Sequence, residues 1–183
     1  MPRIPFPELA NLSEAKRAYA SSGARLLNVV RMSMHTPDGL WERQRDLMAG
    51  SVTLATLNPV LREVLILRVA YLSNSDYVLF HHLSIARNLG MSEATLQAIK
   101  TGDYTALTPQ ERAIAQFTSE VVLNVSPTDD ALAAVRAEFS DAEIFEMIAL
   151  IGNYMMTARI AGMSGCEPDG AAIAGWDRDK TLK

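Results

Sequence analysis

The apolar run at residues 61–72 constrains this chain more than any other stretch. Leu61, Leu65, Val69 and Leu72 recur at three- and four-residue steps, as do Ile66 and Ala70, which is helical spacing. The segment is apolar on nearly every side, so it predicts a helix surrounded by protein rather than one lying at a surface. Ahead of it, Asn58 and Pro59 supply a cap residue followed by proline at the first helical position. Behind it, Ser75 or Asp76 can cap a second helix that carries Tyr77, His81 and His82, and Gly90 is placed to stop that helix in a left-handed conformation. Residues 58–91 therefore read as a helical hairpin with polar groups enclosed between its arms.

Elsewhere the pattern stays helical. Asn11-Leu-Ser-Glu14 can cap a short helix ending near Ser22-Gly23, Thr108 and Glu111 form a capping box around Pro109, and Ser126-Pro127 can start another helix. Asp141 opens a long apolar segment with Ile144, Met147, Ile148, Ile151 and Met155. No stretch shows the alternation of a half-buried strand, so the expected fold is all-α. A chain of 183 residues that is 49% hydrophobic has enough core for one domain without covalent staples. Its ends read as an arm (about 1–10) and a tail (about 166–183), with Trp176 expected to pack on the body or on a neighbouring subunit.

Charge and cysteine usage narrow the partners. The net charge is −4 and the basic residues are dispersed, which argues against nucleic acid and against an anionic membrane surface. No uninterrupted apolar run spans a bilayer; the run at 61–72 itself contains Glu63 and Arg68. One cysteine, Cys166, excludes an intrachain disulfide and fits a reducing cytoplasm. No signal pattern opens the N-terminus.

Within the hairpin, Glu63 sits near the start of the first arm. The helix dipole favours its ionised form there and desolvation opposes it, a balance that suits proton transfer. Facing solvent, or pairing with Arg62 or another neighbour, is the alternative. Tyr77 and His81 share one face of the second arm, Val78 and His82 another, since neighbours project about 100° apart. One histidine is expected to face the site while the other packs or reaches solvent. The two lack the one-turn spacing of a helical zinc pair and no cysteine cluster completes a set, so no metal is expected. Asn153 on the long apolar helix is either a core hydrogen-bonding residue or a cleft-lining one.

These residues also carry a resemblance. Arg62-Glu63, followed after twenty residues by His82-Leu-Ser-Ile-Ala86-Arg-Asn-Leu-Gly90, resembles the carboxymuconolactone decarboxylase and alkylhydroperoxidase D-like family. It implies a helical bundle with the site on the hairpin, a small-molecule substrate and assembly into trimers or hexamers. The peroxidase branch carries cysteines seven and four residues before the histidine matching His82; here those positions hold Ser75 and Val78. A thiolate and a resolving thiol are both missing, which argues against thiol peroxidase activity. What carries over is Glu63, His82 and Tyr77, which takes the place of the residue between those cysteines.

The resemblance thus implies a cofactor-free acid–base enzyme, a decarboxylase or lyase for a small carboxylated lactone or aromatic-derived compound. Glu63, His82 and Tyr77 are its catalytic candidates, with Tyr77 giving a hydrogen bond to an oxyanion. Arg62, His81 and Asn153 are its substrate-binding candidates, Arg62 as a carboxylate clamp or only a structural partner of Glu63. An alkylhydroperoxidase-like protein and a non-catalytic ligand-binding oligomer are the alternatives.

Overall fold

The computed structural model describes residues 2–23 and 25–174. Trp176, expected to be buried, lies outside them. Among the described residues all regular structure is helical: α1 (Glu14–Ala20), α2 (Asn28–Ser33), α3 (Leu40–Thr53), α4 (Pro59–Leu72), α5 (Asp76–Asn88), α6 (Glu93–Thr101), α7 (Pro109–Asn124), α8 (Asp129–Glu138) and α9 (Asp141–Ser164). The all-α reading holds.

The apolar run becomes the centre of the bundle. Helix α4 packs against α5, α6, α7 and α9, and Val64, Leu65, Ile66, Leu67, Val69 and Ala70 on it are fully buried. A helix enclosed on all sides needs no polar face, which is why its sequence shows none. The Asn58 side chain accepts from the Val60 N–H at 2.9 Å and Pro59 takes the first helical position, as the sequence suggests.

The turn between the arms is built from two interlocked caps. At the end of α4, Asn74 adopts a left-handed conformation (φ 48°). The Ser75 N–H donates to the Ala70 carbonyl and the Asn74 N–H to that of Tyr71. This is a Schellman arrangement, with asparagine in the place glycine usually takes. The next residue, Ser75, caps α5 through its hydroxyl. Nothing flexible separates the arms, so the register between Glu63 and His82 is set by the backbone. Gly90 (φ 86°) closes α5 in the same way, with Met91 N–H on the Ala86 carbonyl.

Two expectations need adjusting. The helix after Pro127 is capped by Thr128, whose hydroxyl accepts from the Ala131 N–H. Thr128 itself gives its N–H to Glu120 at the end of α7, and that shifts the start two residues along. Helix α9, at 24 residues, is also long and apolar enough by length and composition to cross a membrane, which a search for uninterrupted apolar runs overlooks. Half of its apolar window is buried within the protein, against α2, α3, α4, α5 and α7. The N-terminal arm lies on its own body, with Arg3 and Ile4 N–H groups on the Ser164 carbonyl.

Candidate acid–base site

Helix α4 holds Glu63 inward and α5 holds His82 against it. The His82 Nδ1 and Glu63 Oε2 are 2.7 Å apart. A carboxylate oxygen can only accept, so Nδ1–H donates to it. Glu63 has no exposed surface and His82 only 4%. The other carboxylate oxygen, Oε1, is buried with no hydrogen-bond partner. Such a group is costly in a low-dielectric interior. Glu63 does not face solvent and forms no ion pair with Arg62; its partner is His82.

Arg62, one residue back, turns to the end of α3. Its Nη1 donates to the Val52 carbonyl at 3.0 Å, and its Nε is buried without a partner. The guanidinium is 6% exposed, with no carboxylate within ion-pair distance among the described residues. A buried cation ordinarily has one.

Tyr154 is the residue sequence reasoning missed. Its ring stands edge-on to the His82 imidazole, centroids 4.9 Å apart at 89°. Burial pushes its phenol well above the usual range, the charge of Glu63 adds to that, and the charge of Arg62 opposes it. It therefore stays protonated, near both charged groups. Its neighbour Asn153, read from sequence as a core hydrogen-bonding or a cleft-lining residue, donates through Nδ2 to Ser51 Oγ at 2.7 Å, tying α9 to α3. Adjacent helical residues diverge by about 100°, so only one of the two can face His82. The Asn153 Oδ1 is buried and has no partner.

Tyr77 and His81 do not join Glu63 and His82. They point to the opposite side of α5, where the segment after α9 crosses it. The Tyr77 hydroxyl donates to Asp169 Oδ2 at 2.5 Å and accepts from the Val29 N–H at 3.2 Å. His81 Nε2 donates to the same Asp169 oxygen at 3.0 Å, and its Nδ1 accepts from the Ile173 N–H at 3.2 Å. Asp169 Oδ1 accepts from the Asn28 N–H at 2.9 Å. Each ring nitrogen is occupied, which fixes the neutral Nε2–H tautomer and leaves no site for proton exchange. Burial lowers the His81 pKa although Asp169 pulls it up. Tyr77, expected as an oxyanion donor, and His81, expected as a substrate contact, are thus placed in a latch that holds the C-terminal segment, away from the Glu63–His82 pair. Arg25 also holds that segment, through the Ala171 and Ala172 carbonyls.

The two positions compared with the cysteine pair serve the scaffold. Ser75 is consumed as a helix cap and Val78 is buried core. Cys166 is buried, and burial with Asp169 nearby pushes its thiol up to about 11, which disfavours the thiolate. Among the described residues no group of three or more His, Cys, Asp or Glu is set to hold a metal. An open cleft of about 450 Å³ lies elsewhere, between the N-terminal arm and the turn after α2. There the Lys16 ammonium is already engaged by the Thr36 carbonyl and Asp38.

Comparisons with known proteins agree with this frame. The carboxymuconolactone decarboxylase family profile matches residues 32–120, a span that contains Arg62, Glu63, Tyr77, His81 and His82. No curated protein matches the chain in sequence. Among solved structures, an uncharacterized peroxidase-related protein from Silicibacter sp. TM1040 aligns with a TM-score of 0.74 at 17% identity, covering 92% of each chain. The alkylhydroperoxidase AhpD core of an uncharacterized peroxidase-related protein from Ralstonia eutropha JMP134 gives 0.72 at 19% identity, covering 92% of this chain and 93% of that one. A protein of unknown function from Agrobacterium tumefaciens gives 0.66 at 22%, covering 73% and 92%. At these identities the likeness establishes the shared helical fold.

Proposed function

We propose that this chain, whose residues 32–120 belong to the carboxymuconolactone decarboxylase family, is an acid–base enzyme that works without a cofactor. The reaction is a decarboxylation or related lyase step on a small carboxylated lactone or aromatic-derived compound. The observation that carries the reading is the 2.7 Å contact between His82 Nδ1 and Glu63 Oε2 inside the bundle.

The substrate supplies its own electron sink, a lactone or enone carbonyl. As the bond to the carboxylate carbon breaks, carbon dioxide leaves and the electron pair moves into that carbonyl to form an enolate. His82, when it also carries a proton on Nε2 taken from solvent, delivers that proton to carbon and returns to the neutral ring, while Glu63 accepts from Nδ1–H and holds the imidazole in orientation. Arg62, a buried cation beside the pair, meets the anionic substrate. A self-associated form, trimer or hexamer, belongs to the same reading. Its support is the exposed apolar face of α9, where Phe145 and Met163 stand largely in solvent.

The test is turnover of carboxymuconolactone, followed as carbon dioxide release, by the parent protein and by Glu63→Gln and His82→Gln. Losing a positioned general acid–base group is expected to lower kcat by roughly 10²–10⁴-fold while the helical circular dichroism is retained. Equal turnover in folded variants would remove the proposal. Absence of turnover in the parent protein as well would favour a ligand-binding oligomer. Hydroperoxide consumption that disappears in Cys166→Ser would favour the peroxidase-related alternative.

A further inference from the structure

Half of the apolar window of α9 is buried within the protein and half is not, and the open half has an order of its own. Phe145, Ile148, Gly152, Met156 and Arg159 recur at three- and four-residue steps. That spacing sets them within about 40° of a single line along the helix. Phe145 is 76% exposed and Ile148 41%, Gly152 and Arg159 are exposed, and Met156 is half-buried. We propose that this row pairs with the same row of a second copy of the chain, α9 against α9 and antiparallel, about a two-fold axis at Gly152. It rests on the self-association in the proposed function and names the face and the symmetry. A hexamer made of two trimers contains such a two-fold contact; a simple trimer does not.

The charge along the row selects the antiparallel register. Gly152 is its centre, with Phe145 and Arg159 seven residues to either side and Ile148 and Met156 four to either side. A two-fold axis reverses the second helix, so each residue meets the one equally far beyond the centre. Phe145 then faces Arg159 of the second copy, an aromatic ring against a guanidinium, and Ile148 faces Met156. Each pair occurs twice. In a parallel pairing the two Arg159 charges would face each other, which is repulsive.

The centre has the room this needs. A Cβ built on Gly152 would meet nothing within 4 Å among the described residues. Packing within the chain therefore does not call for glycine there, although glycine weakens a helix interior relative to alanine. Without a side chain, the two backbones can approach closely at the axis. The apolar area also continues onto α3, which lies antiparallel beside α9 through Gln44 on Met156, Ser51 on Asn153 and Thr56 on Glu146. Leu47, three residues from Gln44 and four from Ser51, is 49% exposed on that side. Contiguous exposed apolar surface of this kind marks a contact site. A lipid bilayer is the poorer occupant, since it would take the Arg159 charge out of water with no partner.

The experiment is sedimentation velocity of the full chain at micromolar concentration. The parent is expected to run as a dimer or a larger even-numbered assembly. Phe145→Arg sets arginine opposite Arg159 and is expected to weaken the association about tenfold or more. Adding Arg159→Phe exchanges the two sides of the pair and is expected to restore it, a rescue that a parallel pairing does not allow. In a second arm, diamide oxidation is expected to link Gly152→Cys into a covalent dimer. Phe145→Cys should stay unlinked, because its two copies lie about 21 Å apart, fourteen residues at 1.5 Å each. So should the parent, whose Cys166 is buried. Circular dichroism checks that each variant keeps its helices. A monomeric parent, a trimer, unchanged assembly of Phe145→Arg, or linkage at 145 in place of 152 would each overturn the proposal. A monomer that co-sediments with phosphatidylcholine vesicles would give the face to a lipid surface instead. The two readings fail separately: carboxymuconolactone turnover by a monomer would keep the enzyme and sink this contact, whereas a Gly152-centred dimer without turnover would do the reverse.

Discussion

Two neighbouring histidines on α5 face opposite sides of the same helix and live in opposite environments. On the His81 side, both imidazole nitrogens, the Tyr77 hydroxyl and both Asp169 oxygens have partners. On the His82 side, Glu63 Oε1 and Arg62 Nε have none among the described residues. Burial is similar, at 2% and 4% for the two rings. A fully satisfied buried cluster does structural work, while an unsatisfied one is stabilised only when a ligand arrives. The difference between the clusters, rather than the presence of histidine, separates the latch from the site.

The largest expected effect breaks the comparison on the His82 side. Glu63→Gln keeps the shape of the side chain and is expected to cost activity roughly 10²–10⁴-fold with little change in melting temperature. His82→Ala would strand a buried carboxylate and is expected to destabilise by about 3–5 kcal/mol, so His82→Gln is the variant to assay. A large stability loss in Glu63→Gln without a change in turnover would make this side the structural one.

On the other side the signs should invert. Asp169→Asn is expected to cost about 1.5–3 kcal/mol, as for a lost hydrogen bond to a charged group, in thermal or urea unfolding. Turnover per folded molecule should stay near the parent value. Because the segment it holds runs from Cys166, the same change should speed alkylation of that thiol by iodoacetamide near neutral pH. Unaltered alkylation would show that Asp169 does not hold the segment down.

The next effect sharpens the comparison through pH. Burial holds the His81 pKa below its ordinary 6.5, so below that pH the unfolded chain takes up a proton that the folded chain refuses. The stability His81 contributes is therefore full above about 6.5 and falls as the pH drops from there toward its folded value. Asp169, Tyr77, Phe80 and the Ile173 N–H face the ring, with His82 and Arg25 adding positive charge nearby. Amide exchange at Ile173 should accelerate across that window, and His81→Gln should flatten the response. The smallest effect is expected for Asn153→Ala, about 1 kcal/mol for its bond to Ser51 and no loss of turnover. A selective rise in KM would return Asn153 to the substrate side.

The scaffold was legible because its signals are local. An apolar run with a cap at each end, a proline at the first helical position and a capping box at Thr108 each act within a few residues, so the all-α fold and the central hairpin follow from the chain directly. The Glu63–His82 meeting was legible because both residues lie on one hairpin with a rigid turn. What escaped depends on contacts far apart in sequence. Asp169 lies 92 and 88 positions from Tyr77 and His81, and no pattern near α5 announces it. Tyr154 and Asn153 are adjacent on α9, and a helix apolar all round gives no way to tell which of them faces His82. The Asn74 turn was missed because asparagine stands where glycine was the signal sought.

The most direct test is the tautomer of the two imidazoles, read from long-range ¹H–¹⁵N spectra of the folded protein with both rings neutral. The partners described above predict opposite states: His82 protonated at Nδ1, donating to Glu63, and His81 protonated at Nε2, donating to Asp169. The His82 signals should move in Glu63→Gln while those of His81 stay in place. If both rings carry the proton on Nε2 and His82 is indifferent to Glu63, the enclosed acid–base pair does not exist.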